Sequence, residues 1–158
     1  MKFLYSFLLL FTFIITDAQD VARWEAQAAK VSIHRDQWDV PHVYGKTDAD
    51  AVFGMLYVQC EDDYRRVERN YLDAIGWMSL AYGEDYIFHD LRARMFMTVD
   101  DAKTHYANSP EWLQALCDAF ADGINYYLHT HPEVQPDYIT QFEPWMPFFF
   151  SEGSIGEI

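Results

Sequence analysis

The chain has 158 residues, 51% hydrophobic, 18% aromatic and 23% charged, a composition that excludes a disordered or low-complexity protein. Its 25 Asp and Glu against 11 Lys and Arg give a formal net charge of −14, which repels phosphate backbones and anionic lipid and so argues against nucleic-acid and membrane-surface partners. The counts of 12 Phe, 11 Tyr and 5 Trp are more than a free-standing acidic domain needs, a first sign that the chain packs against something larger.

Residues 1–18 read as a secretory signal peptide, with Lys2 as a short positive start and Thr16-Asp17-Ala18 as a cleavage site before Gln19. The apolar run Phe3–Ile15 falls short of the roughly 20 residues that a membrane span needs, although an uncleaved anchor is the alternative. The expectation is therefore export, periplasmic or secreted, with residues 19–158 as one mature domain and no membrane attachment.

Val31 to Arg35 alternates apolar and polar residues, the period of a half-buried strand, and Pro41 to Gly45 resumes the pattern after the polar break Asp36–Asp39. A β-hairpin is predicted there. A long helix follows, with Asp48 as N-cap and Phe53, Leu56, Cys60, Tyr64, Val67 and Tyr71 along its apolar stripe. After a break around Gly76 and Gly83, Thr98 and Asp101 have the spacing of a capping box for a short helix through Tyr106. A second long helix is signalled by Ser109 as N-cap and Pro110 at the first helical position, with Trp112, Leu113, Leu116, Cys117, Phe120, Ile124, Tyr127 and Leu128 as its buried stripe. The proline-rich stretch Pro132–Pro147 predicts a loop holding a turn of helix. From Met146 to Ile158 the sequence is apolar, without a cap, and reads as a segment that further chain would cover.

No complete active site emerges from the residues. Of the six histidines only His129 and His131 are close in sequence, and they lack a third ligand at useful spacing. Ser154, in Gly153-Ser154-Ile155-Gly156, follows no strand that would make it a nucleophile elbow. Glu61-Asp62-Asp63 point in different directions on a helix, which favours a charged face, with Asp62 as the buried member paired to an arginine. Cys60 and Cys117 could form one disulfide or remain two buried thiols, and the sequence leaves both open.

Four blocks in order resemble the amino-terminal (α) chain of the penicillin acylase family, a branch of the N-terminal-nucleophile hydrolases. They are Arg35-Asp36 with Trp38 and Pro41-His42; Phe53-Gly54 with Tyr57, Asp62 and Glu68; Gly83, Asp85, Asp90 and Arg94; and Phe120-Ala121-Asp122-Gly123-Ile124-Asn125. Glu152 to Gly156 is similar to the end of the α chain in the acyl-homoserine-lactone and lipopeptide acylase branch. Asp39 departs from the pattern, standing where the family usually has Gly.

The resemblance implies an α+β fold, mostly helical with an N-terminal hairpin, that completes the αββα sandwich of such a hydrolase. It implies a self-cleaving precursor whose β chain, beginning downstream of Ile158, carries the catalytic serine, so that no catalytic residue lies in residues 1–158. The substrate would be a small acylated amide of penicillin, acyl-homoserine-lactone or lipopeptide class. Phe148, Phe149 and Phe150 would wall the acyl pocket. No cofactor serves catalysis, and Glu157 would be a ligand to a structural calcium. The competing readings are a binding module without chemistry and an inactive truncated product.

Overall fold

The computed structural model describes residues 19–150. Residues 19–28 form helix α1, followed by a hairpin of β1 (Ser32–Arg35) and β2 (Pro41–Tyr44) and then α2 (Asp48–Ile75), α3 (Met78–Tyr82), α4 (Ile87–Phe96), α5 (Val99–Asn108) and α6 (Glu111–Thr130). Short 3₁₀ turns lie at Glu84–Tyr86 and Met146–Phe149, the second being the helical turn expected in the proline-rich tail. The fold is the mostly helical α+β arrangement expected, with its strands in one antiparallel pair.

The hairpin has the predicted alternation. Ile33 pairs with Val43 and His34 with His42, and the apolar members turn inward while the histidines face solvent. Its turn explains the departure at Asp39. That residue has φ 62°, a left-handed conformation which Asp tolerates better than most side chains, and which Gly adopts freely. The Asp36 carboxylate closes the turn by accepting from the amides of Trp38 and Val40 at 2.8 and 3.0 Å.

Helix α2 is capped by Thr47, not Asp48: the Thr47 hydroxyl accepts from the Asp50 amide at 3.1 Å, while Asp48 sits in the first turn, where its charge suits the helix dipole. The helix is also broken at Asp63, whose backbone is extended and whose carboxylate accepts from the Arg66 amide at 3.1 Å. Glu61-Asp62-Asp63 is thus a kink with a new N-cap rather than a continuous charged face, because Asp offers the backbone an alternative partner. The capping box of α5 is present at Thr98 and Asp101. At the start of α6 the cap is Pro110, one residue later than predicted; the Ser109 hydroxyl instead donates to the His105 carbonyl at 2.8 Å and closes α5.

Helices α2 and α6 form the centre of the molecule, burying Phe53, Leu56, Cys60, Tyr64 and Tyr71 against Cys117, Ile124 and Tyr127. The tail lays Ile139, Phe142, Trp145 and Met146 on the same core. Two glycines permit the close approach. A Cβ at Gly123 would lie 2.4 Å from the Phe53 carbonyl oxygen, and one at Gly54 would lie 2.6 Å from both Val31 and Val43 of the hairpin. Trp112, predicted buried, is 65% exposed, while Leu113 beside it takes the inward position of this first turn and borders an open cleft.

Candidate functional site: an apolar cleft between α2, α6 and the tail

The cleft has a volume of about 420 Å³. Leu56, Val67 and Tyr71 of α2 form one wall, Leu113, Leu116, Cys117 and Phe120 of α6 the other, and Pro147, Phe148 and Phe150 of the tail border it. The exposed amides of Gln59 and Asn70 sit at its rim. Phe150 meets Tyr71 edge-on at 4.9 Å, and Phe148 stacks with His105 at 6.2 Å. Phe149 turns away and packs edge-on against Trp145 at 6.1 Å. Two of the three consecutive phenylalanines thus border the cleft and the third does not, because a 3₁₀ turn sends successive side chains in different directions.

The cleft's titratable groups are held neutral. Burial raises the Tyr71 phenol well above its ordinary value, with smaller contributions from the Cys60 and Cys117 thiols. Burial also pushes the Cys60 thiol up to about 12, and burial followed by Asp118 raises Cys117. Both cysteines are buried and free, which settles the open question of a disulfide between them, and thiols so shifted are inert at neutral pH. The walls can therefore sequester an apolar group, whose burial is favourable by about 0.8 kcal/mol per methylene.

Polar residues of the sequence blocks act as clamps between the elements of the fold. Glu68, only 3% exposed, accepts hydrogen bonds from the amides of Asp137, Tyr138 and Ile139 at 2.8–3.2 Å and so fastens the tail to α2. Asn125 does the same from α6: its amide donates to the Phe142 carbonyl and its oxygen accepts from the Phe142 amide, both at 2.9 Å. Asp122 accepts from the Trp24 indole at 2.7 Å and from Arg23 at 2.9 Å, anchoring α1; burial raises its carboxyl above the ordinary value despite these partners. Asp90 accepts from the Met78 and Ser79 amides and the Ser79 hydroxyl, fixing the start of α3. Burial pushes the Asp90 carboxyl up, but these bonds outweigh it and hold it below its usual value. Arg94 donates to the Gly76 carbonyl at 2.9 Å.

Asp62 is paired as predicted, with Arg35 at 2.6 Å, but its side chain is 50% exposed; the buried carboxylates of α2 are Asp50 and Glu68. The stripe Cys60, Tyr64, Val67 and Tyr71 is buried on both sides of Asp63, and Asp62 lies off it, turned toward Arg35 of the hairpin. His129 is exposed, while His131 stacks on Tyr127 at 4.3 Å. Among the described residues no group of three or more His, Cys, Asp and Glu is arranged to hold a metal ion. Glu157, Ser154 and residues 1–18, where a signal peptide is expected, lie outside the described residues. Sequence reasoning missed Tyr71 as a cleft residue; a polar hydroxyl at a core position of the α2 stripe was the signal.

A family profile described as penicillin amidase matches residues 30–152. Penicillin G acylase of Escherichia coli is 26% identical over 133 residues, an alignment covering 78% of this chain and 16% of that protein's length. A solved structure, the thermostable penicillin G acylase from Alcaligenes faecalis in tetragonal form, superposes with a TM-score of 0.64 at 20% identity, over 75% of this chain and 68% of that chain, and so has the same fold. With most of the sequence matched and the fold in agreement, the chain belongs to the penicillin amidase family.

Proposed function

We propose that this chain is the amino-terminal part of an exported, self-processing amidohydrolase that cleaves a linear amide between an acyl chain and an amine. The observation that carries the reading is the apolar cleft bordered by Phe148 and Phe150 in a chain of this family. Its size and lining suit one acyl group, and Phe149 would support the turn that places its neighbours. The amine would be of penicillin, homoserine-lactone or lipopeptide type.

The nucleophile would be the first residue of a second chain cut from the same precursor downstream of Ile158. A serine there can act through its own α-amine and a water as base, while donors on that chain hold the oxyanion. The present chain would supply scaffold and acyl-pocket wall, and its neutral thiols and phenol suit that role. A second chain is further supported by the outward face of α3 and α4, where Leu80, Phe88, Met95 and Phe96 are 70–83% exposed. Removal of residues 1–18 on export, and a structural calcium held in part by Glu157, belong to the same proposal.

The test is to express the complete precursor and assay p-nitroanilides of acetic and decanoic acid, with Leu116→Trp introduced to fill the cleft. At least a tenfold loss of kcat/KM is expected for the decanoyl substrate, with the acetyl substrate little changed. An unprocessed precursor, or a processed one that hydrolyses neither, overturns the reading.

A further inference from the structure

The hold of α1 on the rest of the molecule is concentrated in a few side chains. Arg23 and the Trp24 indole both donate to Asp122 of α6, which is 5% exposed, and the Gln27 amide donates to the Ala49 carbonyl at 3.3 Å. Without α1 the Asp122 carboxylate loses both of these donors, and an unpaired charge is costly in such a place. Gln19 precedes Arg23 by about one helical turn and is exposed. In the same turn Asp20 is engaged by Arg23 at 3.0 Å.

The cleavage proposed after Ala18 makes Gln19 the first residue of the exported chain. It is then the one glutamine that carries a side-chain amide and a free α-amine together. The neutral amine can attack the side-chain carbonyl carbon of its own residue, an intramolecular step with its reacting groups already held close. The bond from the backbone nitrogen to Cδ forms and the bond from Cδ to Nε2 breaks. Ammonia leaves, taking the proton that the amine loses, so no oxidant, cofactor or second substrate is required. Ring closure breaks no helical hydrogen bond, because the first nitrogens of a helix have no upstream carbonyl to bond. It also removes a positive α-ammonium from the helix end where positive charge is disfavoured.

We propose that Gln19 is a modification site, cyclised to a pyroglutamyl lactam in the exported chain, and that the lactam shields the α1 anchor from aminopeptidases, which need a free α-amine. This rests on export and cleavage before Gln19 as read above. Trimming that starts at Gln19 removes Arg23 and Trp24 within two helical turns and strands Asp122. A blocked first residue stops it before it begins.

The experiment expresses the complete precursor, residues 1–18 included, in a secreting host and reads the exported enzyme by mass spectrometry. A synthetic Gln19–Arg23 peptide goes through the same work-up. The N-terminal tryptic peptide Gln19–Arg23 is expected to be about 17 Da lighter than the unmodified sequence, while the synthetic peptide keeps its amine. A peptide that starts at Gln19 with its full mass overturns the lactam and leaves export standing. Equal cyclisation of the synthetic peptide also overturns it, since the ring then forms during handling. A chain that begins at any other residue overturns the assignment to Gln19, and one that still begins at Met1 overturns the export reading as well. The protective role has its own readout. An aminopeptidase should trim Gln19→Ser through Trp24 about tenfold faster than the wild type, with a fall in melting temperature that the wild type does not show. Equal trimming rates overturn that role.

Discussion

The α2–α6 layer and the α3–α4 shelf follow opposite rules. Where α2 crosses α6 the backbones approach so closely that a Cβ at Gly123 would overlap the Phe53 carbonyl, and buried Glu68 and Asn125 tie the tail to the two helices. On the shelf, α4 buries a single side chain, that of Asp90, and turns Phe88, Met95 and Phe96 to the outside. One region packs backbone against backbone and pairs most of its buried polar groups internally, with the hydroxyls of Tyr64 and Tyr71 as exceptions. The other is held at its root by Asp90 and Arg94 and leaves its apolar face unsatisfied. A chain that needed only its own core would have the first kind of region throughout, so the contrast marks the side on which further protein is expected.

The contrast can be broken most severely at Glu68. Glu68→Ala strands the three tail amides of residues 137–139, and a loss of roughly 4 kcal/mol is expected from about 1–3 kcal/mol per unpaired donor. Hydrogen exchange should show the tail deprotected along with the global destabilisation in urea. An undiminished urea midpoint would show that the clamp contributes nothing. Gly123→Ala comes next: the added methyl must displace one helix, at about 3 kcal/mol by the usual cost of overpacking, again read from the urea midpoint. In the hairpin the sign reverses. Asp39→Gly removes the cost of a left-handed Asp and should raise stability by roughly 0.5–1 kcal/mol, visible as a higher melting temperature. The smallest change in stability, within about 0.5 kcal/mol, is expected for Phe88→Ser with Met95→Ser on the exposed shelf. The same pair should reduce the fraction of the chain that co-purifies with the second chain proposed above; full retention would remove the shelf from that interface.

Much of the fold was legible locally. The hairpin followed from period-two alternation at Val31–Arg35 and Pro41–Tyr44, and the α5 capping box from Thr98 and Asp101, because such patterns involve neighbours in sequence. Errors fell where two local solutions competed. Thr47 and Asp48 can both cap a helix, Ser109 can close α5 or open α6, and Asp63 can continue a helix or restart it. Helix α4 was not foreseen, since its apolar residues face outward and its inward residue is an aspartate. At the cleft, Phe148 and Phe150 were legible as a group with Phe149, but the 3₁₀ turn that separates them was not.

The sequence by itself determined the hairpin, the two long helices and α5, the acidic character and, through its ordered blocks, the family. Those properties rest on residue type and short spacing. Only the tertiary structure decided what the polar residues of the blocks do: Asp122 anchors α1, Asn125 and Glu68 fasten the tail, and Asp90 starts α3, all but the last across long stretches of chain. It also decided that Tyr71 would be a buried phenol without a partner beside a cleft. Burial and hydrogen-bond satisfaction depend on what folds back over a residue, and a position along one helix carries no record of that.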